Sequence, residues 1–278
     1  MTAAKQSGRD IVLPKNRSRS FLMVFAFAGI IAAAAATNAQ SDRRDLFADI
    51  KAPVESPSAE INGSQLLAEL ALHDQIRNSA LIAYTELRTY QVTDAEGKVR
   101  AQESGQMEYR APGKMTFVKS SEAGSGMVRR LAFNPLIASE IEAASGKQLE
   151  ESAITPANYT FEILGEEYVG PNRCFVAWAS PKRPDKFLFE GKVWIDAEEF
   201  AIVRVAGHPA RKLSFWIDQV NFVREFERID GFWLPRIDET FVQVKLYGQK
   251  VLTIEHQYYG VSREGKTKES VQNAADQE

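Results

Sequence analysis

The sequence predicts a mainly β protein with a few helices, an α+β chain built on one strongly curved antiparallel sheet that forms an incomplete β-barrel. Three observations predict it. Segments rich in aromatic and β-branched residues recur through the second half of the chain, divided by turn signals such as Asp230-Gly231 and Tyr247-Gly248, and short connections of this kind make neighbouring strands antiparallel. The last segments, 213–229, 232–246 and 251–259, are long against the usual ~5–6 residues, which a sheet accommodates by coiling. Only two helical patterns are present to cover that sheet.

The chain opens with an export signal. Residues 21–37, FLMVFAFAGIIAAAAAT, follow a stretch carrying Lys5, Arg9, Lys15, Arg17 and Arg19, the charged, apolar and small-residue parts of a secretory signal peptide. Thr37 and Ala39 suit cleavage before Gln40, so residues 1–39 are read as the signal peptide. A retained inner-membrane anchor is the alternative, since ~17–25 apolar residues span a bilayer; the alanine-rich second half inserts weakly. Both readings put the body across the membrane, in the periplasm.

Residues 40–62 are polar and carry Pro53 and Pro57, a flexible lead-in. A domain over 63–261 follows. It begins with a helix capped by Ser64, with Leu66, Leu67, Leu70, Ala71 and Ile76 on one stripe, ending near Asn78. Strands over 81–92, 99–109 and 115–118 form a meander through the turns at Asp94–Gly97 and Ala111–Lys114. A second helical pattern, 135–151, places Leu136, Ile137, Ile141 and Leu149 together. Strands resume at 159–164, 174–178, 187–196 and 200–205, followed by the three long ones. Residues 262–278 read as a polar tail.

Composition removes several function classes. The chain has 34 basic and 37 acidic residues; removing residues 1–39 takes away five basic and one acidic residue, leaving 29 against 36 and a net charge of −7. A nucleic-acid binder held by a basic field is excluded. One cysteine, Cys174, excludes a disulfide scaffold, and its Cys-Phe-Val-Ala-Trp setting is that of a small buried hydrophobe. His73, His208 and His256 show no metal-ligand spacing, and no nucleophile elbow, phosphate loop or dinucleotide fingerprint is present. The expectation is a protein without cofactor, metal site or catalytic residue. Asn62-Gly-Ser64 and Asn158-Tyr-Thr160 match the short glycosylation acceptor pattern.

The aromatic residues carry the functional reading. Alternation along 187–195 separates Phe187, Phe189, Val193 and Ile195 from Trp194, whereas along 213–229 the apolar parity changes from Leu213, Phe215 and Ile217 to Trp216, Val220, Phe222 and Phe226, which predicts a bulge or apolar cover on both faces of the first half of that strand. Along 232–246 both faces hold large apolar groups. Any one of these aromatics is ordinarily core. Together they exceed what two short helices cover, which leaves a cavity, with Phe187, Phe189, Trp194, Trp216, Phe222, Trp233 and Phe241 as its candidate lining.

The stretch from Asn158 to Gly260 resembles the C-terminal half of the LolA-like outer-membrane lipoprotein-sorting superfamily. The resemblance is carried by Gly191, Trp194, Ile195 and Asp196 closing one strand, by Ile202, Val203 and Arg204 in the next, and by Asp230, Gly231, Trp233 and Pro235 at a later hairpin. The helix leading into Tyr84-Thr85 matches the family's opening less specifically. The resemblance implies a helical lid over a hydrophobic cavity that accepts lipoprotein acyl chains or other lipids. It further implies a monomeric periplasmic carrier with envelope protein donors and acceptors. The longer lead-in and the longer segment 121–157 depart from the compact carriers. The alternative is an envelope assembly module that binds a protein along the sheet.

Overall fold

The computed structural model describes residues 61–264 apart from 145 and 216; the expected signal peptide, nearly all of the lead-in and most of the tail lie outside the described residues. The chain forms helix α1 (Gly63–Ala80), then strands β1 (Leu81–Asp94), β2 (Val99–Arg110) and β3 (Lys114–Gly124). A helical turn at Gly126–Val128 and a π-helix at Arg129–Phe133 lead into α2 (Asn134–Ala143) and α3 (Lys147–Ser152). Seven strands follow: β4 (Tyr159–Val169), β5 (Asn172–Pro181), β6 (Phe189–Asp196), β7 (Ile202–Pro209), β8 (Ile217–Ile229), β9 (Phe232–Val244) and β10 (Gly248–Arg263).

All ten strands belong to one antiparallel sheet in the order β3-β2-β1-β10-β9-β8-β7-β6-β5-β4. It is an open sheet with β3 and β4 as its edges, so the incomplete barrel stands. Two meanders meet where the first strand pairs with the last, from Leu81 opposite Arg263 to Asp94 opposite Lys250. Because β3 and β4 are the two edges, the chain between them must cross a face of the sheet, and the helical pieces 126–152 lie on that crossing.

Local chemistry accounts for the element ends. The cap of α1 is Asn62 rather than Ser64: its side chain accepts from the Gln65 N–H at 3.0 Å, and the Gln65 side chain accepts from the Asn62 N–H at 3.0 Å. This reciprocal pair satisfies two otherwise orphaned helix N–H groups. At the other end Arg77 donates to the Glu199 and Phe200 carbonyls at 2.7 and 2.9 Å, fixing α1 to the β6–β7 turn. The Asp230-Gly231 hairpin has both residues at positive φ, 50° and 86°, the mirror-image turn that matches strand twist. The parity change in β8 is a bulge at Asp218, because Ile217 pairs with Val244 and Gln219 with Gln243. Another bulge at Arg236 of β9 sits beside Pro235, where a missing N–H costs the ladder little.

Register defines the inner face. Tyr90 of β1 opposes Ile254 of β10, Ile254 opposes Asp238 of β9, and Asp238 opposes Arg224 of β8, and directly opposed residues point to the same side. On this face α1 buries Leu66, Leu67 and Leu70 against a cluster that includes Phe189, Val193, Ile195 and Phe222. The crossing segment buries Phe133, Leu136 and Ile137 against Tyr90, Val92, Leu252 and Ile254. The two covers therefore occupy two separate apolar clusters on one face.

Helix α1 can approach β4 only because residue 63 lacks a side chain: a Cβ there would lie 2.1 Å from the Phe161 carbonyl oxygen. Gly63→Ala is expected to displace the helix and lower stability by about 1–3 kcal/mol, the usual overpacking cost, read as a fall in the urea midpoint with unchanged slope.

Candidate functional site

Between the two apolar clusters the inner face is ionic. Strand β1 presents Tyr84, Glu86, Arg88 and Tyr90 on alternate positions, all buried. Arg88 donates to Glu86 Oε1 at 2.5 Å and to Glu140 Oε2 of α2 at 2.7 Å, and the Tyr90 hydroxyl donates to the same Glu140 oxygen at 3.2 Å. His256 of β10 places Nδ1 2.7 Å from Glu86 Oε2 and Nε2 3.3 Å from Asp238 Oδ2. Arg224 of β8 closes the row on Asp238, with Nη2 at 2.9 Å and Nε on the other oxygen.

Three carboxylates, Glu86, Asp238 and Glu140, thus face Arg88, Arg224 and His256. Both imidazole nitrogens point at carboxylates, so the charged form donates from each. Burial alone would push His256 down, but Glu86 and Asp238 outweigh it and hold the imidazole above its ordinary value. Burial likewise opposes ionisation of Glu86, yet Arg88 and then His256 bring its carboxyl down to about 2. Asp238 comes down to about 2 against burial through Arg224 and His256.

The tyrosines continue the row. Tyr84 stacks on Tyr109 at 5.1 Å and meets Tyr258 edge-on at 5.5 Å, and Tyr258 lies parallel to the His256 ring at 6.3 Å. Two buried donors, Arg88 Nε and the Tyr258 hydroxyl, have no hydrogen-bond partner among the described residues. The face therefore combines apolar clusters with donors that are free to donate to a further oxygen.

Of the seven aromatics singled out from the sequence, the structure brings Phe189 and Phe222 together beneath α1, with ring centroids 5.7 Å apart and nearly perpendicular planes. Phe187 lies just before β6, half-buried, with the Lys186 ammonium 4.5 Å from its ring centroid. Trp194 alternates with Val193 and Ile195 and packs on the opposite face with Cys174, Val176 and Val223; its indole N–H donates to Glu167 at 2.7 Å. Trp233 packs against that same outer cluster and donates to Glu199 at 2.7 Å. Phe241 is buried, but its neighbours in register are Asn221 and Val251, one step out of phase with the Asp238 row. Trp216 lies outside the described residues.

Other groups are accounted for by packing. The Cys174 thiol is pushed up to about 12, by burial first and by Asp196 second, which makes it a poor nucleophile. Asn158 is buried, donating to the Glu150 and Ala153 carbonyls at 2.9 and 2.8 Å, so its side chain is a loop brace rather than an accessible acceptor for a sugar. Among the described residues no group of three His, Cys, Asp or Glu side chains is arranged to hold a metal ion. No described helix is long and apolar enough to cross a membrane.

The sequence matches no family model and no curated protein. Solved structures that it is similar to include a DUF1329 family protein from Desulfovibrio piger, 13% identical over 74% of this chain and 95% of that one, with a TM-score of 0.43. A domain assigned to outer-membrane lipoprotein sorting from Vibrio parahaemolyticus is 14% identical over 75% and 96%, with a TM-score of 0.36. A LolA superfamily protein from Nitrosomonas europaea is 9% identical over 73% and 93%, with a TM-score of 0.33.

The ionic row makes stability depend on pH from both sides. His256 is raised, so its contribution is complete below the ordinary histidine value near ~6.5 and is lost as pH climbs through the folded value. Glu86 and Asp238 are depressed, so theirs is complete above the ordinary carboxylate range near ~4 and is lost as pH falls toward 2. The urea midpoint should peak between about pH 4.5 and 6.5. His256→Ala, which takes away the cation shared by Glu86 and Asp238 and leaves the buried row one positive charge short, should cost about 3–5 kcal/mol and abolish the decline on the alkaline side.

Proposed function

We propose that this chain is an exported periplasmic binding protein or carrier that takes the acyl chains of lipoproteins or other lipids on the inner face of its open sheet, without catalysing a reaction. The observation that carries the reading is the covering of that face. Its apolar clusters are roofed by helices borne on the lead segment and on a crossing loop, not by a second sheet. Such a roof can shift without breaking a strand pair. Apolar surface exposed beneath it would be offered to a lipid tail, where each methylene removed from water is worth roughly 0.8 kcal/mol. Phe189 and Phe222, under Leu66, Leu67 and Leu70 of α1, are the aromatic contacts proposed for the tail.

The polar end of such a ligand has a place as well. Arg88 Nε and the Tyr258 hydroxyl are donors on the inner face, suited to an ester or carboxylate oxygen, the kind of sparse polar fixing point found in otherwise apolar sites. A second reading, a protein partner added along an edge, is favoured by β3. That strand is exposed along most of its length, and Val118 is 68% exposed, a template for strand addition.

Native mass spectrometry of protein purified from the periplasm should show a bound acyl species, and a fluorescent fatty-acid probe should bind the delipidated protein. Ligand-free protein that ignores the probe but retains one stoichiometric protein partner would replace the first reading with the second. Tyr258→Phe gives a sharper test. Removing an unpartnered buried hydroxyl should leave thermal stability equal or higher, while acyl-ester affinity falls by about fivefold to tenfold, the worth of one hydrogen bond.

A further inference from the structure

One end of the sheet carries an apolar tip that neither helix-covered cluster uses. Leu246, in the turn between β9 and β10, is 91% exposed and sits at φ 67°, a left-handed conformation that bulky side chains rarely adopt. Phe215, at the end of the β7–β8 connection, is 73% exposed. The Ile217–Val244 pair brings the two segments together, and the Lys245 ammonium stands 4.0 Å from the Phe215 ring centroid. Beneath them Leu213 and Tyr247 pack on Ile217, Val220, Val242 and Val244, so the tip rests on a firm base.

The charge around this tip is opposite in sign to that of the chain. Residues 208–221 and 242–249 contain Arg211, Lys212 and Lys245 against Asp218 alone, a net of +2, whereas residues 40–278 together carry −7; Lys250 is buried opposite Asp94 and is not part of this surface. Arg211 and Lys212 are exposed. They line a cleft of about 290 Å³ with His208 and Asn221, into which Asp218 also faces; Asp218 lies 3.7 Å from Lys245. Exposed large apolar side chains ringed by cations are what an anionic interface selects: the apolar groups enter the acyl boundary and the cations remain among the phosphates.

We infer that the Phe215–Leu246 tip, with Arg211, Lys212 and Lys245, docks this protein reversibly on an anionic phospholipid bilayer. This site lies at one end of the sheet, apart from the ionic row and the two helix-covered clusters, and it goes beyond the acyl-binding reading: a protein that failed to bind an acyl probe could still dock, and the reverse.

The test is sedimentation of the exported form with vesicles of phosphatidylglycerol and phosphatidylethanolamine. The protein should bind at low salt, lose about tenfold of that binding as the Debye length shrinks at high salt, and bind vesicles of phosphatidylcholine far less. Leu246→Gly and Phe215→Ser should each reduce binding by about fivefold to tenfold, since each removes one inserted side chain. Glycine also suits the left-handed backbone, so Leu246→Gly should melt no lower than the parent while docking less, a pairing that a purely structural role for Leu246 would not give. Absence of vesicle binding, or equal binding by parent and variants, would overturn the proposal. A concentration-dependent dimer abolished by Leu246→Gly, without vesicle binding, would overturn it in favour of a contact between two copies.

Discussion

The structure depends on an ionic row that has to be complete. Glu86 and Arg88 of β1, His256 of β10, Asp238 of β9 and Arg224 of β8 share the middle of one face, and removing one partner leaves its neighbours in a low-dielectric interior with an uncompensated net charge. This row does more to select an arrangement than to add stability. A one-residue slip of β1 against β10 would turn Glu86 and Arg88 to the other side of the sheet and part both from His256. Register is therefore fixed at the junction between the two meanders, where no short hairpin could fix it.

The same row attaches the crossing segment. Glu140 is the residue of α2 that meets Arg88 and Tyr90, so a helix lying on the sheet through apolar contacts is also held at one ionic point. Helix α1 is held differently, by leucines along its length and by Arg77 on the carbonyls of the β6–β7 turn. The two covers rest on different physics. One is sensitive to the charge state of its partners and the other to the area it buries.

Much of the fold was legible because hairpins write themselves in local sequence. Asp230-Gly231 announces its turn, alternating apolar residues announce the strands, and the mixed parity of 213–229 allows a bulge or two-sided cover, of which the structure has a bulge at Asp218. The cap of α1 was misplaced by two residues because Ser64 and Asn62 are both good caps, and only the Gln65 reciprocal bond decides between them. The aromatics were harder to place. Trp194 differs from Val193 and Ile195 by a single step of the pleat, and nothing local tells which side of a sheet will receive the helices. The ionic row was missed altogether. Glu86 and Arg88 carry no motif in the sequence, and His256 shows no metal-ligand spacing. The signal available was that Tyr84, Tyr90 and Val92 share their parity, which places the two charges among apolar neighbours. Pairing β1 with the last strand is a long-range fact that no window of sequence contains.

That pairing also sets the order in which the molecule can assemble. Strands β4 to β9 can zip through successive hairpins as they emerge, and β1 to β3 can do the same, but the two halves have no common seam until β10 has been synthesised and laid against β1. Contacts so distant along the chain are slow to form, because the loop entropy is spent before they return anything. A polypeptide with this topology stays unlocked until its last strand is available. For a chain exported as proposed above, such delay would keep the centre of the sheet open until passage through a translocation channel is complete.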